Sequence, residues 1–142
     1  MTPQSLIEAF ATAVAHEEGF YVVGSVPQRA NNPCDLSDDG DVGCGLIRTS
    51  GPEGAGITIY HNVEAGWHAA YKKFARMLNG ASQVYTLDMT IEEVGMKYSG
   101  DANWGKNVAA RLSVSPDTTL ATLVSQTSAG ATADVEEAGD PG

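Results

Sequence analysis

Apolar residues recur at helical spacing from the start of the chain. Leu6, Ile7, Phe10 and Val14 share one face. Thr2 and Pro3 are the residue types that open a helix, as cap and first helical position, and Gly19 is the type that closes one. Residues 21–56 break this pattern. They are rich in Gly, Asp, Pro and Ser, with short apolar runs at Leu46-Ile47-Arg48 and Ile57-Thr58-Ile59-Tyr60 around Gly51-Pro52. They predict a small β-lobe of short strands.

Asn62 predicts the cap of a second long helix over 63–79, stopped by Gly80. Its expected buried stripe is Trp67, Ala70, Tyr71, Phe74, Met77 and Leu78. Thr90 and Glu93 form the signature of a capping box, opening a helix to about Tyr98. Further helices are expected from Trp104 to Leu112, and from Ser115-Pro116 to about Val124. The predicted order is helix, β-lobe, four helices. This is an α+β class with segregated elements, mostly helical. Residues 1–125 are expected to be one domain. Residues 126–142 are small, polar and acidic, and predict a disordered tail.

Composition narrows the function. The 142 residues are 42% hydrophobic and 18% charged, with a formal net charge of −10. Asp134, Glu136, Glu137 and Asp140 concentrate part of that charge near the end. The balance argues against nucleic-acid binding, which needs a basic face, and against an anionic membrane surface. No apolar run is long enough for a membrane span, and no signal-peptide pattern opens the chain. Synthesis in a cytoplasm is expected, with action elsewhere after lysis, by non-classical export or as part of a particle.

Several chemistries are disfavoured. His16, His61 and His68 do not have zinc-ligand spacing, and no metal or cofactor is expected. There is no glycine-rich phosphate loop and no Gly-x-Ser-x-Gly elbow. Asp35 to Asp41 partly matches a calcium loop, but Leu46 stands where its last carboxylate belongs. Cys34 and Cys44 flank nine residues, so a disulfide between them is geometrically open. In a reducing compartment both stay thiols.

The candidate chemistry lies in Glu17-Glu18. A general acid in glycoside cleavage needs a partly apolar site that favours its protonated form. Both residues flank the apolar face of the first helix, so periodicity does not choose between them. A solvated helix end is the plain alternative.

The segments "HEEGFY" and "VPQRANNPCDL" resemble a family of small lysozyme-like proteins of phages and bacteria. The likeness continues through "ITIYHNVEAGWHAAYKKFARMLNG", "YTLDMTIEEVGMKYSG", "NWGKNVAARL" and "VSPDTTL", covering roughly residues 5 to 120. It implies a lysozyme-like fold and cleavage of peptidoglycan, or a related GlcNAc-containing glycan, at the β-1,4 bond between N-acetylmuramic acid and N-acetylglucosamine. A monomer is expected.

The family's Glu-Gly pair assigns the general acid to Glu18. A competing match, to the His-Glu-x-x-Phe of animal lysozymes and the Glu-Ser-x-Phe of lytic transglycosylases, selects Glu17. The phage endolysin pattern places an Asp shortly after the Glu. None stands there, and Asp35 is the first acid beyond, so it is the candidate second carboxylate. A transglycosylase needs only one acid, and the reaction type stays open.

The resemblance also places Asn31, Asn32, Thr58 and Tyr60 against the sugar, with Tyr98, Asn103 and Trp104 from the helical part. Each has an ordinary structural alternative as a turn, strand or core residue. The family's glycine after Asn-Asn-Pro is Cys34 here, which is strained if that position needs positive φ. The rival reading is a non-catalytic wall-binding or virion structural module.

Overall fold

The computed structural model describes residues 1–37, 45–48 and 56–127. Its elements are α1 (Pro3–Glu17), α2 (Val26–Arg29), β1 (Gly45–Arg48), β2 (Gly56–Ile59), α3 (Val63–Leu78), α4 (Ile91–Tyr98), α5 (Ala102–Arg111) and α6 (Leu120–Ser125). The chain is mostly helical. Among the described residues the strands are two four-residue segments paired antiparallel, with Leu46 opposite Thr58 and Ile47 opposite Ile57. The turn expected at Gly51-Pro52, Cys44, the acidic residues 38–41 and the expected tail over 128–142 lie outside the described residues.

The helix ends follow local chemistry. Thr2 Oγ1 accepts from Ser5 N–H at 3.0 Å and caps α1. Asn62 Oδ1 accepts from Ala65 N–H at 2.8 Å and caps α3. Thr90 and Glu93 form the reciprocal capping box of α4. Two expectations are corrected. The segment after α1 is not all β-lobe, because Ser25 caps the short helical turn α2. The last helix does not begin at Ser115-Pro116, where a turn is closed by Thr118 N–H on the Ser115 carbonyl. The carbonyls of Pro116 and Thr118 accept from Glu92 and Ile91 N–H at the start of α4. Serving those orphan donors holds the segment out of helix, so α6 starts at Leu120 with Thr119 as its cap.

Two compact units divide the chain. One comprises Met1–Phe10 and Phe74–Gly142, the other Ala11–Lys73. In the first, Phe10 and Phe74 pack at 5.2 Å between ring centroids, and Ile91, Val94, Val108 and Leu120 are buried. There α4 meets α5 backbone to backbone. A Cβ on Gly105 would lie 2.6 Å from Glu92 Cα, and one on Gly95 would lie 2.8 Å from Gly105 N. In the second unit, Ala11, Ala13, Val14, Ala15, Ala30, Cys34, Leu36, Ile57 and Tyr60 are buried. The turn 30–37 is tied to β2 there, with Tyr60 N–H donating to the Ala30 carbonyl and Thr58 N–H to the Leu36 carbonyl.

Candidate active site

The end of α1 decides which glutamate is set apart. Phe20 N–H donates to the Ala15 carbonyl at 3.0 Å, and Gly19 N–H to the His16 carbonyl at 3.3 Å. Gly19 has φ 83°. These are the two bonds and the left-handed residue of a Schellman cap. Glu18 is therefore the C-cap residue, held where the helix stops, while Glu17 is still inside α1. Only glycine takes Gly19's conformation without strain, which ties the Glu-Gly pair to the geometry.

The Glu18 side chain hydrogen-bonds the side chain of Asp35. Asp35 stands at the far end of the Asn-Asn-Pro-Cys turn with φ 56°. Burial pushes its carboxyl above its ordinary value, and the hydrogen bond with Glu18 partly opposes that rise. Asp35 Oδ1 is a buried atom with no hydrogen-bond partner of its own. The two acids therefore form a close, partly desolvated pair.

Cys34 is buried close to this pair. Its Sγ donates to the Ala11 carbonyl at 3.3 Å. Burial, followed by the negative charges of Glu18 and Asp35, drives its thiol far upward, with Lys73 a lesser opposing influence. An inert structural thiol is the result, not a nucleophile. The strain feared at Cys34 is absent, because the positive φ angles of the turn fall at Asn31 (54°) and Asp35. Asn and Asp tolerate that conformation best among residues with side chains. Cys44, the other half of the expected disulfide, is outside the described residues.

Several residues expected at the sugar serve the fold instead. Asn32 is 0% exposed. Its Nδ2 donates to the Leu36 and Thr58 carbonyls at 2.9 Å, and its Oδ1 accepts from Leu36 N–H at 2.9 Å. Its amide is engaged at both ends in joining turn to strand. Thr58 is buried and donates to the Ser37 carbonyl at 3.2 Å. Tyr60 is 1% exposed, so its ring has no face for a sugar. Asn31 is half-buried and donates from Nδ2 to the Tyr60 carbonyl at 3.1 Å.

Tyr98, Asn103 and Trp104 belong to the other unit. Trp104 is 3% exposed and stacks on half-buried Tyr98 at 5.0 Å, so it is core. Asn103 is exposed in the first turn of α5, with its N–H on Asp101 Oδ1.

The sequence reading passed over Gly66. A Cβ there would collide with the Asn31 carbonyl oxygen and lie 2.9 Å from Pro33 Cδ. This glycine inside α3 lets the Asn-Asn-Pro turn sit directly on the helix, which fixes Asp35's position. A glycine in the middle of a strong helical pattern was the available signal.

Among the described residues, no group of three or more His, Cys, Asp or Glu is arranged to hold a metal ion. Nor is any helix among the described residues long and apolar enough to cross a membrane. No family model, curated protein or solved structure matches the chain, so the likeness to lysozyme-like proteins rests on the motifs quoted above.

Proposed function

We propose that this chain has a lysozyme-like fold and cleaves the glycan strand of peptidoglycan, with Glu18 as the general acid. The observation that carries the reading is the hydrogen-bonded pair of Glu18 at the C-cap of α1 and half-buried Asp35. Two carboxyls in contact do not both ionise as easily as isolated ones, and burial raises Asp35 further, so the pair holds a proton more tightly than an isolated surface glutamate does. A retained proton is what the leaving oxygen of a glycosidic bond requires.

The contact also bears on the reaction type. Paired carboxyls stand about 5–5.5 Å apart in retaining glycosidases and about 6.5–9.5 Å apart in inverting ones. Both arrangements set the second carboxyl across the sugar from the acid, whereas Asp35 is hydrogen-bonded to Glu18 itself. A single-acid route fits better. Glu18 protonates the bridging O4 as the bond from C1 to O4 breaks. The 6-hydroxyl of the same muramic residue then closes on C1, and its proton returns to the Glu18 carboxylate. Asp35 positions Glu18 and sets its proton occupancy, without touching the sugar. The product is a 1,6-anhydro muropeptide, and the activity that of a lytic transglycosylase.

The burial of Asn32, Thr58 and Tyr60 favours one alternative, a wall-binding or virion structural module without turnover. Mass spectrometry of purified peptidoglycan after incubation with wild type, Glu17→Gln and Glu18→Gln separates the readings. Anhydro products lost only in Glu18→Gln are expected. Reducing ends would mean hydrolysis. Binding to the wall without products from the wild type over a broad pH range would overturn the enzymatic reading.

A further inference from the structure

Trp67 and Tyr71 have the spacing of core residues on α3, yet both are only half-buried. They belong to a row of rings within the second unit. Tyr71 and Trp67 stack at 5.8 Å between centroids with planes 27° apart, and Trp67 meets Phe20 at 5.7 Å. Phe20 stands edge-on to both of its neighbours, 79° from Trp67 and 75° from Tyr21, which it meets at 5.1 Å, and Tyr21 lies 4.3 Å from His16. Phe20 is half-buried, Tyr21 is 49% exposed, and Val22 and Val23, next in the chain, are 62% and 88% exposed. Scattered surface hydrophobics need no account, but a contiguous aromatic row at the surface marks a place where something binds.

We propose that Phe20, Tyr21, Trp67 and Tyr71 form a sugar-stacking platform that holds the glycan strand beside Glu18. The occupant is argued from position and charge, and it rests on the glycan-cleaving reading. Only Gly19 separates Glu18 from Phe20, so the row of rings starts two residues from the acid. A pyranose presents flat C–H faces with hydroxyls at its rim. Aromatic faces carry a partial negative charge that attracts polarised C–H groups, while tyrosine hydroxyls and the indole N–H remain at the wet edge. The four rings carry no charge in a chain of net charge −10, which suits a neutral sugar face rather than an anionic surface.

The test is titration of ¹⁵N-labelled Glu18→Gln protein with chitotetraose, reading the two tryptophan indole signals. The Trp67 signal should shift and the buried Trp104 signal should not. Tyr21→Ala, at an exposed position that leaves the core intact, should weaken binding about tenfold, or roughly 1.4 kcal/mol. An unmoved Trp67 signal, or equal affinity in Tyr21→Ala, overturns the platform. Product analysis of the wild type reads the other reading independently. Products with an unmoved Trp67 remove the platform alone, whereas a Trp67 shift lost in Tyr21→Ala without products upholds the platform and removes cleavage.

Discussion

Glu18 and Asp35 meet side chain to side chain across two different backbone devices. Glu18 is placed by the Schellman cap that ends α1, and Asp35 by the left-handed residue that ends the Asn-Asn-Pro-Cys turn. Neither device depends on the other acid, so the pair is preorganised by the backbone and not by its own attraction.

Glu18→Gln should lower the cleavage rate about 10²–10⁴-fold, the usual worth of a general acid, while Glu17→Gln changes it little. Release of muropeptides from purified sacculi, timed by mass spectrometry, checks both. Equal losses in the two variants would remove the distinction drawn from the cap.

Asp35→Asn should flatten the pH dependence of stability. Burial raises the native carboxyl above its ordinary 3.8, so the native state binds the proton more tightly than the unfolded chain does. That contribution is complete below about 3.8 and is lost as pH rises through the raised native value. The asparagine variant keeps the left-handed backbone and cannot ionise. It should match wild type in acid and exceed it near neutrality. Urea unfolding at a series of pH values measures this, and parallel curves for the two proteins would contradict it.

Asn32→Ala should destabilise by about 2 kcal/mol, since it takes the acceptor from the buried Leu36 N–H and a donor from the Thr58 carbonyl, while the Leu36 carbonyl keeps its bond from Thr58 N–H. Equilibrium urea unfolding gives the value. A change below about 0.5 kcal/mol, the scale of an ordinary surface substitution, would mean that the amide does not hold the turn to β2.

Gly66→Ala should cost about 3 kcal/mol or displace the turn, because the added methyl meets the Asn31 carbonyl rather than a side chain that can swing away. Thermal unfolding reads the first outcome. Loss of cleavage by a protein that still melts cooperatively reads the second.

Cys34 in a Cys44→Ser background should resist iodoacetamide in the native state and react on unfolding in urea. Its thiol is buried and its thiolate disfavoured by the desolvation and the nearby carboxylates. Intact-mass measurement against time follows the reaction.

What the sequence made legible was mostly local. Thr2, Asn62 and the Thr90–Glu93 pair cap helices through neighbours three residues away, and Gly19 and Gly80 stop them by their own backbone freedom. The different places of Glu17 and Glu18 in the helix end were local too, since the residue before a left-handed glycine is the cap. Non-local bonds were not legible. An asparagine in a turn looks the same in sequence whether its amide faces water or joins Leu36 to Thr58. Ser115-Pro116 reads as a helix start until the demand of α4 for acceptors is known. Helical periodicity assigned Trp67 and Tyr71 to one stripe with Phe74, but it does not tell where along that stripe the covering ends.

The contact of Gly66 with the Asn31 carbonyl has a consequence for transplantation. The turn that carries Asp35 and the helix that carries Gly66 fit only as a matched pair, though residues 36–62 part them in the sequence. Moving residues 31–35 alone into another scaffold would leave the carbonyl facing a side chain. A graft that is to bring the acid pair with it has to include the third helix from the start.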